Sequence, residues 1–185
     1  HTFTLDKFVT DEEVDITLED RAVVDVVVMQ NEHNEATHNT RFNITAGAGS
    51  VLKISFLTLH GGNIDNKVRV DINGEGANVD LSGLYLVDGK QVVSNSVEMN
   101  HNVPNCLSSQ LYKGVLDNDA VARFSGIIYV KQDAQKIEAY QANHNLLLSQ
   151  RAKIHTEPQL EIYADDVKCS HGATIGRLDE NELFY

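Results

Sequence analysis

"NVDLSGLYLV" at positions 78–87 and "AVARFSGIIYV" at 120–130 are two versions of one phrase, apolar and polar residues in alternation around a shared Ser-Gly step at 82–83 and 125–126. Val79 and Leu81 fall on one side of an extended chain and Asp80 and Ser82 on the other, because successive strand side chains point to opposite faces. The same period of two returns in Val24-Val26-Val28, Leu52-Ile54-Phe56, Val68-Val70-Ile72 and Leu160-Ile162. No helical period of useful length competes with it before the last eight residues. "DAQKIEAYQANHNLLLS" (133–149) is long enough for a helix, but its Gln and Asn content and its neighbours favour strand and turn.

The strands also repeat. "RAVVDVVVM" (21–29), "GSVLKISFL" (49–57), "GANVDLSGLYLV" (76–87), "DAVARFSGIIYV" (119–130) and "RAKIHTEPQLEI" (151–162) each open at a turn with a small residue, Ala22, Ser50, Ala77, Ala120 or Ala152. These residues are 28, 27, 43 and 32 positions apart. Degenerate strand–turn units with uneven insertions predict a solenoid whose stacked coils form inward apolar ladders. An antiparallel sandwich with strands of similar length fits the same pattern. "HGGN" (60–63), "NGEGAN" (73–78), "VDGK" (87–90) and "LDND" (116–119) supply turn chemistry for either.

A chain of 185 residues suits one domain with a real core. Its net charge of −12 comes from 27 acidic and 15 basic residues, and "DKFVTDEEVDITLED" (6–20) holds much of it. Without a Lys/Arg cluster, this surface argues against nucleic acid or an anionic membrane as a partner. The acidic run reads as a solvated face. Two cysteines are too few for a disulfide framework. No apolar run is long enough to span a bilayer, since "VVDVVVM" (23–29) is interrupted by Asp25. "HTFTLDKFVT" (1–10) has no signal-peptide features, which makes the cytoplasm the expected location. The first residue is His, and the expectation is that the natural start lies upstream. "LDENELFY" (178–185) reads as a helix opening, with Asp179 as cap and Glu182 completing a capping box. The expected division is a β domain at 1–177 and the beginning of a truncated helical segment at 178–185.

Candidate chemistry centres on "VKCSHGATIG" (167–176). In a strand, Val167, Cys169 and His171 share one face, and Val167 marks that face as the inner one. Two ligands are half of a closed zinc site. A thiolate and an imidazole can supply half of a soft-metal or iron–sulfur site if a partner chain completes it. The plainer alternative is a small buried thiol beside a hydrogen-bonded histidine. A second pair, His101 and Cys106 in "HNVPNC", flanks a loop with Pro104 and lacks metal-knuckle spacing. His33 and His38, with Glu32 and Glu35, read as a solvated connection, and His144 and His155 as surface or structural residues. "GGNIDNK" (61–67) is not a P-loop, and the sequence has no G-x-S-x-G or H-E-x-x-H. Asp165 and Asp166 near Glu161 offer a calcium site of the kind a β-helix polysaccharide lyase would use, though no basic catalytic residue stands nearby.

Two blocks carry a family resemblance. "LLLSQRAKIHTEPQLEIYADDVKCSHGATIGRLDENELFY" (146–185) is closely similar to the C-terminal core signature of the SufB/SufD family of iron–sulfur cluster assembly proteins. "NHNVPNCLSSQLYKGVLDNDAVARFSGIIYV" (100–130) also resembles it, whereas the first hundred residues match only in texture. SufB-type chains carry a Glu-His-Glu-Ala-Thr version of the signature, so Cys169, His171 and Gly172 identify this chain with the SufD type. The resemblance implies an all-β, right-handed parallel β-helix core flanked by helical segments. It implies a scaffold rather than an enzyme, pairing with SufB through the β-helix ends and with the ATPase SufC through the helical C-terminal segment, in support of cluster formation and iron delivery. The transient iron or iron–sulfur cluster would sit at the partner interface, with His171 contributing and Cys169 close by, and none is expected in the isolated fragment. Left unpaired, the β-helix end is expected to make the fragment self-associate. The alternative function is a β-helix carbohydrate-active enzyme using the carboxylates at 161–166.

Overall fold

The alternating segments fold into twelve strands: β1 (Val9–Leu18), β2 (Val23–Asn31), β3 (Thr37–Ala46), β4 (Val51–His60), β5 (Asn63–Ile72), β6 (Asn78–Val87), β7 (Val92–His101), β8 (Leu107–Leu116), β9 (Val121–Val130), β10 (Ile137–Leu147), β11 (Lys153–Ile162) and β12 (Val167–Arg177). This computed structural model describes residues 8–178, and no helix occurs among them. Odd-numbered strands form one six-stranded sheet in sequence order, and even-numbered strands form the other. Every pairing is parallel, from β1 with β3 to β10 with β12. Each coil therefore gives one strand to each sheet, and six coils stack into a β-solenoid. An antiparallel sandwich is excluded. The segment at 133–149 forms β10, as its composition predicts. The expected helix opening lies outside the described residues except for Leu178, whose N–H bonds the Leu147 carbonyl at 3.0 Å.

The uneven repeat has a simple cause. Ala22, Ser50 and Ala77 lead into β2, β4 and β6 of the even sheet, but Ala120 and Ala152 lead into β9 and β11 of the odd one. The interval of 43 is thus a coil and a half. Cys106 is the true successor of Ala77, with the Leu107 N–H bonding the Ala77 carbonyl at 3.0 Å. The residue before each member of this corner column adopts a left-handed conformation: Arg21 (φ 62°), Gly49 (63°), Gly76 (74°), Asn105 (60°) and Lys136 (57°). A left-handed step turns the chain sharply, and the residue after it faces the corner inside, small at the first four corners (Ala22, Ser50, Ala77, Cys106) and Ile137 at the fifth.

Inward positions form ladders across the coils. Leu52, Val79 and Ser108 share one column, and Ile54, Leu81 and Gln110 the next. The aliphatic members are fully buried, each worth about 1.5–3 kcal/mol relative to exposure. Where β6 and β8 meet, glycine and tyrosine exchange places: Gly83 lies beside Tyr112, and Tyr85 beside Gly114. A Cβ on Gly83 would sit 2.3 Å from the Tyr112 ring, and one on Gly114 would sit 2.1 Å from Tyr85. The Ser-Gly step therefore clears space for an aromatic ring from the next coil. Tyr85 donates to Asn145 Oδ1 at 2.5 Å and accepts from Asn143 Nδ2 at 3.1 Å, and burial pushes its pKa up to about 12.

The outer faces differ. The odd sheet carries charge, with Arg69 between Asp71 and Glu98 at 2.9 and 2.8 Å. Its acidic first strand is partnered by amides, Asn39 to Asp11 at 2.7 Å and Asn43 to Glu13 at 3.0 Å, so most of that run is the solvated face expected of it. Glu12, on the inward parity but still exposed, lies 3.4 Å from His38, whose other ring nitrogen meets Glu32, so His38 is buried on β3 and not part of a solvated connection. The even sheet exposes apolar residues, among them Val27, Met29, Leu86, Leu111 and Tyr140.

Candidate functional site at the open end of the solenoid

β12 is the last strand of the even sheet, paired with β10 on one side only. The pairing sets Val167, Cys169, His171, Ala173 and Ile175 beside Ile137, Ala139, Gln141, Asn143 and Asn145. All five β10 residues are buried, so their β12 neighbours occupy the same inward columns. Exposure nonetheless rises along β12: Val167 and Cys169 are half-buried, His171 and Ala173 are exposed, and Ile175 is 52% exposed. Across the interior, β11 offers Ile154, Thr156, Pro158 and Leu160, all half-buried. These residues line a mouth that no further described coil covers.

Cys169 and His171 share this inward face, two residues and about 6.6 Å of strand rise apart. Burial raises the Cys169 thiol above its ordinary range, so at neutral pH it is a protonated thiol that a metal or base must deprotonate. Among the described residues, no group of three or more His, Cys, Asp or Glu side chains is arranged to hold a metal ion. The pair thus presents one thiol and one imidazole on an accessible inward face.

The other candidates are not brought here. His101 is fully buried in the inward column of Ile72 and Val130. Its Nε2 lies 2.9 Å from Ser108 Oγ, and burial pulls its pKa down to about 4, so the ring is neutral. Cys106 is fully buried in the corner column, with Sγ near the carbonyls of Pro104 and Gly74 at 3.2 and 3.4 Å. Both are structural. His144 bonds Thr174 Oγ1 at 2.7 Å on the outer face. Asp165 and Asp166 lie in the turn before β12, where Asp166 accepts from the Lys136 N–H at 2.6 Å, and the calcium cluster of the alternative reading does not assemble among the described residues.

Neither Gln110, which belongs to the family-like block at 100–130, nor Gln141 is read as a site residue in the sequence. They occupy the column that ends at His171, the first pairing with the second and the second with His171. The readable signal was a glutamine recurring on the inward parity 31 residues later. Gln141 Nε2 donates to Gln110 Oε1 at 2.8 Å, while Gln141 Oε1, though buried, has no partner. Across the mouth, Thr156 Oγ1 is likewise buried and unpartnered.

Comparison with known proteins gives one consistent result. A family model described as "SUF system FeS cluster assembly, SufBD core domain" matches residues 2–185, including the first hundred residues, where the sequence alone showed only texture. The chain is 37% identical over 154 residues to the iron–sulfur cluster assembly protein SufD of Escherichia coli, covering 82% of this chain and 36% of that protein. It is 34% identical over 173 residues to an iron–sulfur cluster assembly SufBD family protein of Synechocystis, covering 92% and 38%. A SufBD family protein of Mycobacterium leprae is 28% identical over 180 residues, covering 93% and 46%. The chain spans less than half the length of each of these relatives.

Proposed function

The chain belongs to the SufBD core family of the SUF iron–sulfur cluster assembly system, and from that premise we propose that it is the core of a SufD-type scaffold whose open end is half of the assembly site. The supporting observation is that Cys169 and His171 face inward on an end coil whose inward residues reach solvent. Closing the mouth against a SufB-type partner desolvates both side chains and brings further ligands to them. His171 offers an imidazole to the iron being assembled, and Cys169 stands two residues behind it as a thiol that iron can deprotonate. Two ligands from each side hold iron only while both halves are together, which suits a site that must release what it builds. The protein is then a scaffold and not an enzyme, and SufC supplies the ATPase activity. The wider roles of the full-length protein, iron delivery among them, rest on this arrangement.

The test is reconstitution of the full-length protein with SufB and SufC, comparing wild type with His171→Ala. The expected result is an intact complex that forms cluster at least tenfold more slowly. Cluster formation at the wild-type rate would overturn the reading. The isolated core is expected to self-associate through the same apolar mouth, and a monomer by light scattering at high concentration would count against that.

A further inference from the structure

The column beneath His171 has a direction. In a ladder of stacked amides each side chain donates to one neighbour and accepts from the other. Gln141 donates downward, Nε2 to Gln110 Oε1 at 2.8 Å, so its remaining acceptor, Oε1, belongs to the step above. The residue on that step is His171. Gln141 is 3% exposed, and among the described residues its Oε1 is one of the few buried side-chain atoms left without a hydrogen-bond partner. Such an atom is costly to keep unless something completes it. Gly126, on the neighbouring inward face, keeps the space beside the amide clear: a Cβ there would stand 2.3 Å from Gln141 Nε2.

We infer that Gln141 is a positioning residue for His171, accepting a hydrogen bond from one ring N–H through Oε1 once the mouth is covered. This deepens the reading of His171 as an iron ligand and rests on it. An imidazole bound to a metal through one nitrogen carries its proton on the other, and an acceptor at that proton fixes both tautomer and ring orientation. In the free chain His171 is solvated and the acceptor waits unpaired. In the assembled site water is excluded, and Gln141 becomes the acceptor that holds the ring with its second nitrogen's lone pair turned toward the ion. Removing an outer partner of this kind from a metal-bound histidine weakens binding by about 10–100-fold.

The experiment uses the full-length protein assembled with SufB and SufC, titrated anaerobically with cobalt(II) as an optical stand-in for iron(II). His171→Ala is expected to abolish binding at the site. Gln141→Met is expected to weaken it by about 10–100-fold with the complex intact. Gln141→Glu keeps an acceptor, which the free Gln110 Nε2 can also serve, and restores binding to within a few-fold of wild type. Gln110→Met breaks the same ladder bond from below and leaves binding within about twofold, so an effect of mere packing is separated from one of positioning. Wild-type binding by Gln141→Met, or equal loss in Gln110→Met, overturns the inference while the reading of His171 stands. Loss of binding in Gln141→Glu also overturns it, as the result expected of a donor. Wild-type binding by His171→Ala overturns both. If Gln141→Met does not assemble, the paramagnetically shifted imidazole N–H proton of cobalt-bound His171 in the wild type decides: slow exchange with solvent is the result expected of a proton held by Gln141, and exchange as fast as that of a solvated imidazole overturns the inference.

Discussion

The two Cys/His pairs of this chain use the same side chains in the same kind of position. His101 and Cys106 lie inside the fourth coil, and Cys169 and His171 lie on the inward face of the sixth. The first pair is fully buried under neighbouring coils, and the histidine there is held neutral with its pKa near 4. The second pair has coils beneath it and none described above it. In a solenoid, then, the inward residues of a covered coil build the core, and those of an end coil form a surface ready to be completed. Residue type does not separate the two pairs; the number of coils over them does.

The sharpest way to break this comparison is to measure thiol access. In the native protein Cys169 should react with a thiol reagent at least about a hundredfold faster than Cys106, which opens only with its surroundings. Equal rates, read by mass spectrometry of labelled peptides, would mean that the fourth coil is not closed. Substitution of the histidines comes next. His101→Ala should cost about 2–4 kcal/mol in denaturant unfolding, by removing a buried ring and stranding Ser108, while His171→Ala should stay within about 0.5 kcal/mol.

The pH dependence should follow the covered histidine. His101 is depressed to about 4 in the folded chain, so the unfolded chain binds the extra proton below about 6.5. Its contribution is complete above pH 6.5 and is lost as pH falls toward 4, amounting to at most about 3 kcal/mol. Unfolding curves at pH 7 and 4.5 should show this loss in the wild type and a smaller one in His101→Ala. The smallest contrast concerns two glycines. Gly83→Ala drives a methyl into Tyr112 and should cost about 1–3 kcal/mol, whereas Gly172, with nothing within 4 Å of its Cβ position, should accept alanine almost silently.

Much of this was legible in the chain itself. Alternation located the inward residues correctly: Val79 and Leu81 of the opening phrase are fully buried. Parity also placed Cys169 and His171 on one inward face. Which sheet a strand joins was not readable, because both sheets impose the same period of two. The alignment therefore passed over Cys106 and stepped from Ala77 to Ala120, and a corner residue was weighed as chemistry. The forms of the corners were hidden for a related reason. Arg21 and Lys136 occupy left-handed positions where glycine signals are absent, since the coil geometry overrides local preference there. The unpartnered Gln141 oxygen could not be foreseen either, because it follows from the direction in which two amides point.

One part of the interior bears on how this protein could be rearranged. Gln30 bonds Asn66 at 2.8 Å and Thr40 at 3.3 Å, accepts from Thr58 at 2.7 Å, and Asn66 passes the chain on to Asn95 at 3.1 Å. Aliphatic rungs are alike enough that a gene could lose or duplicate one coil and still stack grease on grease. These amides belong to particular strands on both sheets, and excising the unit between them leaves donors facing hydrocarbon. The early coils thus behave as numbered parts, which would confine the tolerated duplications and deletions in this lineage to other stretches of the solenoid.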